Sequence, residues 1–408
     1  MLFLFNIAWR NIFRNIRRTV LASLAIGIGL AALIFTDAMM VGMIESMTRT
    51  ATDTFLGQGQ IHAEGFRSTR EVEKTVNNLS RLLERLRGEQ AVKRFSLRTQ
   101  TFGMIASPAN AGSVLLYGID PRLEKEVSKL DEALVKGAYL SAGGLRKMLI
   151  GEKLAETLEV APGDRVVVTV AEAETGELVQ EMFRIGGVFR FNVREMDSGM
   201  GFMHLKTSQA LLGLADGVHE VVLQFDDLRL SGDTESDFWL RYSQDGNQAL
   251  GWKALMPQLD KVVQMSQYSS SIMAVILFSV VSLGIMNTLF MSLYERMFEF
   301  GVLRAVGTRP FRMALMVLFE AGALSILSIL VGSAIGFGVT YAVSLSGIDY
   351  VGIEFAEMTI RELIYPVLQA EQFVVFPLVV FLFTLIAGIY PAVFAARLTP
   401  AEAMKAHD

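Results

Sequence analysis

The sequence predicts an α-helical membrane protein with four transmembrane helices and a large α+β extracytoplasmic domain inserted between helices 1 and 2. Three observations predict it. Four apolar stretches are long enough to cross a hydrocarbon core of ~30 Å, which takes ~20 helical residues. Residues 48–265, between the first and second stretch, contain no such run. The composition is mixed: 52% of the 408 residues are hydrophobic and 19% are charged, with a mean hydropathy of +0.40. That is too apolar for an ordinary soluble chain and too charged for one wholly in lipid.

Residues 1–18 carry two stripes at helical spacing. Phe5, Trp9, Ile12, Phe13 and Ile16 form an apolar one; Arg10, Arg14, Arg17 and Arg18 form a basic one. This is an amphipathic helix in the membrane interface, or a flank of the next helix. Residues 19–47 are the first span. The run is too long for a signal-peptide core, and no small-residue cleavage site follows it. Asp37 lies about 27 Å along the axis at 1.5 Å per residue, near the far interface, where a hydrated carboxylate is expected.

Residues 48–265 alternate helix and strand signals irregularly, hence α+β. Helices are expected over 77–87 and from Gly151, with turns at 107–110 and at Pro162-Gly163-Asp164. Strands are expected over 113–119, 165–170, 181–191 and 218–225. Residues 266–294 form the second span, interrupted by Ser279, Ser282, Gly284 and Asn287. Small and polar residues there predict close helix packing. Residues 295–312 form a short charged amphipathic segment. Residues 313–345 are the third span, with Gly332 and Gly336 spaced for close approach of a neighbour. Its Glu320 is either a functional intramembrane carboxylate, a buried group bonded to Asn287 or Ser282, or a residue near the headgroups. A loop over 346–372 precedes the fourth span, 373–396. In the tail, 397–408, Thr399, Pro400 and Glu402 form a capping box.

Charge fixes the expected topology. Arg10, Arg14, Arg17 and Arg18 precede the first span. Arg296, Arg304, Arg309 and Arg312 lie between the second and third, and Arg397 and Lys405 follow the fourth. The 346–372 loop holds Arg361 against Asp349, Glu354, Glu357, Glu362 and Glu371. Both termini and the 295–312 segment are therefore expected in the cytoplasm, with the insert and the 346–372 loop outside.

Several chemistries have no visible signature. With no cysteine there is no disulfide, thiolate metal site or cysteine nucleophile. His62, His204, His219 and His407 lack ligand spacing, so no metal is expected. A net charge of -5 argues against nucleic acid as a partner. There is no phosphate-cradling Gly-x-x-x-x-Gly-Lys loop, dinucleotide fingerprint, nucleophile elbow or triad. No catalytic residue and no cofactor of this chain's own is expected. A four-span protein without an engine borrows one.

The stretch Glu295-Arg296, continuing through Glu299-Phe300-Gly301-Val302-Leu303-Arg304-Ala305-Val306-Gly307, resembles the coupling segment of MacB/FtsX-like (type VII) ABC transporter permeases. So do Tyr390-Pro391-Ala392 with Ala395-Ala396-Arg397-Leu398 and Pro400-Ala401-Glu402-Ala403. In the insert, Leu149-Ile150-Gly151-Glu152-Lys153-Leu154-Ala155 and Pro162-Gly163-Asp164 resemble the family's periplasmic core domain. The order of parts matches over nearly the whole chain.

The resemblance implies a non-catalytic subunit in the bacterial inner membrane. Two permeases, identical or paralogous, pair above two ATPase subunits that bind ATP and magnesium. ATPase closure pushes the coupling helix, and the motion is relayed to the periplasmic domain, where substrate is moved by mechanotransmission. Glu295, Arg296, Met297, Phe298, Glu299, Gly301, Leu303, Arg304 and Gly307 are the implied coupling residues. Met297, Phe298, Val302 and Leu303 are expected to bury in a groove or in the membrane interface.

A fused ATPase is not expected, unlike in the macrolide exporters. Length and span count match lipoprotein-releasing permeases and stand-alone MacB-type permeases; ten-span peptide-sensing relatives do not fit. Met39, Met40, Met43 and Met47, with Met265 and Met273, suit a cavity for acyl chains, or ordinary packing between two helices. The expected cargo is a lipoprotein, a lipid or another hydrophobic substrate, with membrane lipid and a periplasmic lipoprotein, carrier or membrane-fusion protein as partners. The alternatives are a drug or peptide efflux permease feeding a membrane-fusion protein and outer-membrane channel, and a signalling subunit that activates a periplasmic enzyme.

Overall fold

The structure is a computed structural model that describes residues 16–141, 143–350, 354–355, 358–359 and 363–397. The expected interface helix up to residue 15, the tail from 398 onward and the loop residues Glu357, Arg361 and Glu362 lie outside the described residues.

The chain forms two compact units. The first holds four long helices: α1 (Ile16–Ala51), α6 (Pro257–Glu295), α8 (Pro310–Ser346) and α9 (Gln372–Arg397). All four are long and apolar enough to cross a membrane. At 1.5 Å per residue, α1 runs roughly 54 Å, well beyond a hydrocarbon core of ~30 Å. The spans expected from hydropathy are therefore the middles of longer helices.

Their common core joins Ile26, Leu30 and Ile34 of α1 to Ile285 of α6, Ala321 of α8 and Val380 of α9. Lipid offers no hydrophobic drive between helices, so small residues that let backbones approach carry the packing. A Cβ at Gly332 would lie 2.7 Å from the Gly27 carbonyl oxygen, and one at Gly336 3.2 Å from the Ala31 Cα. The paired glycines of α8 are thus the seat of α1.

The second unit runs from Met47 to Val262 around a ten-stranded sheet. Its strands are β1 (Gly59–Ala63), β2 (Val92–Ala106), β3 (Ala111–Ile119), β4 (Leu134–Gly137), β5 (Lys147–Gly151), β6 (Arg165–Ala171), β7 (Leu178–Phe189), β8 (Met200–His204), β9 (Glu220–Phe225) and β10 (Asn247–Gly251). The principal helices are α2 (Leu79–Arg87), α3 (Pro121–Val127), α4 (Glu152–Leu158) and α5 (Leu205–Leu212).

The order is β10-β1-β9-β2-β3-β8-β5-β7-β4, and β6 pairs with both β2 and β7. The strands β2, β3, β8, β5, β7 and β6 therefore close into a ring. Ile105, Leu116, Ile150, Val168, Ile185 and Met203 fill it. The ring closes at Gly103, where a Cβ would lie 2.7 Å from the Thr169 carbonyl oxygen. The first half of β2 leaves the ring to pair with β9 in antiparallel register, Arg98 opposite Glu220.

That register places Arg98 in the interior with no exposed surface. Its Nη1 donates to Glu220 at 3.1 Å and its Nε to Glu124 at 3.0 Å. Its Nη2 donates to Glu124 at 2.5 Å and to the Phe55 carbonyl at 2.7 Å. Its guanidinium carbon stands 3.8 Å from the Phe55 ring centroid. Burial works against the Arg98 charge, but Glu124 and Glu220 outweigh it and raise its pKa; burial pushes the Glu220 carboxyl up. Phe55 belongs to the π-turn Thr52–Leu56 that directly follows α1.

His62 lies nearby in β1, its Nε2 2.9 Å from Gln60 Oε1 and its Nδ1 3.3 Å from the His219 carbonyl. Burial, with help from Arg67, pushes its pKa down to about 3.

Two outcomes are expected. Arg98→Met leaves two carboxylates buried without their cation, and should lower the stability of this domain by ~3–5 kcal/mol in denaturant unfolding of the detergent-solubilised chain. Folded His62 refuses a proton that the unfolded chain accepts near pH 6.5. Its contribution is then complete above pH ~6.5 and declines as pH falls toward 3. Melting curves between pH 7.5 and 4.5 should show that decline, and His62→Gln should flatten its slope.

Candidate functional site

The charged segment at 295–312 is a built structure. Helix α6 ends at Glu295, and Arg296 leaves helical geometry at φ -113, ψ 14. A short helix, α7 (Met297–Ala305), follows. Gly307, at φ +95, adopts a backbone conformation that side chains resist and so ends the turn. Arg309 is extended, and Pro310 opens α8 at its first helical position, where a missing N–H costs nothing.

One face of α7 is locked to the bundle. Phe300 is 1% exposed and packs with Leu293, Met313, Met316, Val317 and Ala392. Gly301 is buried beside it, and Met297 is half-buried at the edge of the cluster. Arg296 is buried too. It donates from Nη1 to Glu320 Oε2 and from Nε to Glu299 Oε2, both at 2.9 Å. Ser292 Oγ donates to the other Glu320 oxygen at 2.8 Å. The Arg296 guanidinium carbon lies 5.4 Å from the Phe300 ring centroid. One ionic network thus joins α6, α7 and α8.

The opposite face is exposed. Phe298, Val302, Leu303 and Val306 are exposed, Val306 at 82%, and Phe311 continues the apolar ridge. Glu295, Arg309 and Arg312 are exposed around it, while Arg304 is half-buried and donates to the Thr308 carbonyl at 3.4 Å. An apolar ridge edged with charges, on a helix whose back is fixed, suits a partner's groove or the membrane interface.

The other expected residues divide. Gly332 and Gly336 pack against α1. Asn287 corrects its expectation: it is exposed, with no hydrogen-bond partner among the described residues, because its stretch of α6, with Leu283 and Gly284, faces away from the bundle. Glu320 is a half-buried carboxylate, and its partners are Arg296 and Ser292 rather than Asn287 or Ser282. Sequence reasoning missed that pair, although a signal existed. Arg296 and Glu320 are equally far along the chain from Thr308, and a helical hairpin brings such positions face to face.

Asp37 accepts a hydrogen bond from Gln372 Nε2 at 2.8 Å. Both line a cavity of about 400 Å³ between α1, α6 and α9, together with Leu33, Met40, Met273 and Phe376. Of the six methionines expected at a cavity, Met40 and Met273 line this one. Met39 and Met43 are half-buried outside its lining, Met47 is buried, and Met265 is exposed. Among the described residues no cluster of His, Asp and Glu is arranged to hold a metal.

Residues 19–236 match the MacB-like periplasmic core domain, and residues 271–400 the FtsX-like permease C-terminal domain. The chain is similar to the lipoprotein-releasing system transmembrane protein LolC of Xylella fastidiosa, at 25% identity over 306 residues, covering 71% of this chain and 72% of that one. It is similar to LolE of Haemophilus influenzae at 20% identity, covering 85% of each. Among solved structures, the periplasmic region of MacB from Actinobacillus actinomycetemcomitans matches with a TM-score of 0.35 at 13% identity, covering 50% of this chain and 92% of that one.

Breaking the ionic network should cost more than deleting it. Glu320→Leu alone leaves the buried Arg296 with Glu299 as its remaining carboxylate and should lower stability by ~1–3 kcal/mol; the double variant Arg296→Met with Glu320→Leu should recover most of that loss. Thermal melts of the single and double variants in detergent check the cycle.

Proposed function

The chain belongs to the ABC transporter permeases of the FtsX/MacB type, and from that premise we propose that it takes its driving force from a separate ATPase subunit through the exposed ridge of α7. Both termini and α7 then lie in the cytoplasm and the inserted domain in the periplasm, in keeping with the arginine counts. ATPase closure presses on Phe298, Val302, Leu303 and Val306. Because Arg296, Phe300 and Glu320 bind α7 to α6 and α8, the load passes into the spanning helices rather than bending the hairpin.

At the far end of α1 the Arg98 clamp holds Phe55, so motion of that helix reaches the sheet of the inserted domain. The permease works as a dimer and moves substrate on the periplasmic side without a polar path through lipid. The relatives LolC and LolE are named for lipoprotein release, and the cargo proposed here is a lipoprotein or another acylated molecule. The cavity beside Asp37, lined by polar groups such as Asp37 and Gln372 and by the apolar Met40, Met273 and Phe376, supports an amphiphile.

The observation that carries this reading is the contrast between the two faces of α7, one locked to the bundle and one exposed at Val302, Leu303 and Val306. The variant Val302→Asp with Leu303→Asp changes only exposed positions. It should leave the chain's melting temperature unchanged, abolish co-purification of the ATPase, and remove permease-dependent stimulation of ATP hydrolysis. An ATPase that binds the folded variant and turns over as before contradicts the reading.

A further inference from the structure

In the inserted domain, β3 and β8 run side by side in parallel, with Ile119 opposite His204. Each leads directly into a helix, β3 into α3 and β8 into α5. The two chain crossings open a cavity of about 610 Å³. Its polar lining is Asp120, Arg122, Lys125, His204 and Lys206; its apolar lining includes Leu140 and Leu145. Crevices beyond the carboxyl ends of parallel strands are common ligand sites.

His204 is 6% exposed, and its Nε2 is fully buried with no hydrogen-bond partner among the described residues. A buried polar nitrogen without a partner is unusual and costs stability unless a ligand supplies one. The surrounding charges indicate which ligand. Arg122 is exposed and forms no ion pair among the described residues. Lys125 and Lys206 are exposed lining residues: Lys125 pairs with the half-buried Asp131 at 3.3 Å and lies 4.7 Å from the Tyr139 ring centroid, and Lys206 pairs with the exposed Asp216 at 2.7 Å, contacts a stronger anion can exchange. The acid in the lining, Asp120, directs Oδ1 at the backbone N–H groups of Arg122, at 2.9 Å, and Leu123, at 3.5 Å.

We propose that this cavity binds the phosphate head of a small amphiphile. The Arg122 fork takes two oxygens, the ammonium groups of Lys125 and Lys206 supply point charges, His204 Nε2–H donates to the buried oxygen, and Leu140 with Leu145 cover the apolar body. Three cations and an imidazole suit a phosphate better than a singly charged carboxylate. The site uses none of the residues proposed for ATPase coupling, so it stands or falls separately.

The test titrates octyl phosphate against the full chain in dodecyl maltoside, read by ligand-observed NMR, with octyl glucoside as the neutral control. Saturable binding of octyl phosphate is expected, with no competition from octyl glucoside. Arg122→Ala and Lys206→Ala, both at exposed positions, should each weaken binding on the order of tenfold, and His204→Phe should do the same while keeping the ring volume. Displacement by inorganic phosphate identifies free phosphate as sufficient; displacement only by a short-chain phosphatidylglycerol identifies a lipid headgroup. Binding unchanged in the double variant Arg122→Ala with Lys206→Ala, or equal binding of octyl glucoside, overturns the proposal.

Discussion

The hairpin between α6 and α8 depends on the pairing of Arg296 with Glu320. A guanidinium at a helix break, buried against apolar side chains, must be neutralised and hydrogen-bonded where it stands. Glu320 and Glu299 meet that demand, and Ser292 holds the other Glu320 oxygen. Meeting it fixes the entry angle of α7, and that angle decides which face is buried. Phe300 and Gly301 turn inward, and Phe298, Val302, Leu303 and Val306 are left outside. The exposed ridge is thus a consequence of where one cation is held.

The inserted domain repeats the device. Arg98 sits in β2 opposite Glu220 and draws Glu124 and the Phe55 carbonyl to itself. Phe55 lies one π-turn beyond α1, so the end of that helix is tied to the long strand shared by both halves of the sheet. Isolated surface ion pairs contribute little. Both guanidinium groups here are buried and multiply bonded, and each ties separate elements together. In a protein proposed to transmit force, stiff joints matter more than the net stability they add.

The legible part of the sequence was that written in apolar runs and charge asymmetry. The four spans, the insert and the amphipathic stretch beginning at Glu295 all announce themselves by hydropathy. Strands with a β-branched pattern, such as 165–170, were equally plain. The strand β2 was not, because Ser96, Arg98, Thr99, Gln100 and Thr101 are all buried. A polar strand interior is satisfied by tertiary partners that local pattern cannot supply. Asn287 misled for the complementary reason: a polar residue in a span reads as a packing contact, whereas here its helix face is turned outward. The pairing of Arg296 with Glu320 is encoded in hairpin symmetry, a signal carried by position rather than by residue type. The phosphate-type cavity beside His204 had no such trace, since it forms where two strands distant in sequence align.

The central claim is that load applied at α7 reaches the inserted domain. The chain has no cysteine of its own, so two introduced cysteines give an unambiguous spin-labelled pair. Labels at the exposed positions Val306 and Leu178, in the permease–ATPase complex, report the distance between α7 and the domain by pulsed electron resonance. The account predicts distance distributions that differ between nucleotide-free and ATP-trapped complexes, with the difference lost in the Glu320→Leu background. Identical distributions in the two nucleotide states, in a complex that hydrolyses ATP, would contradict it.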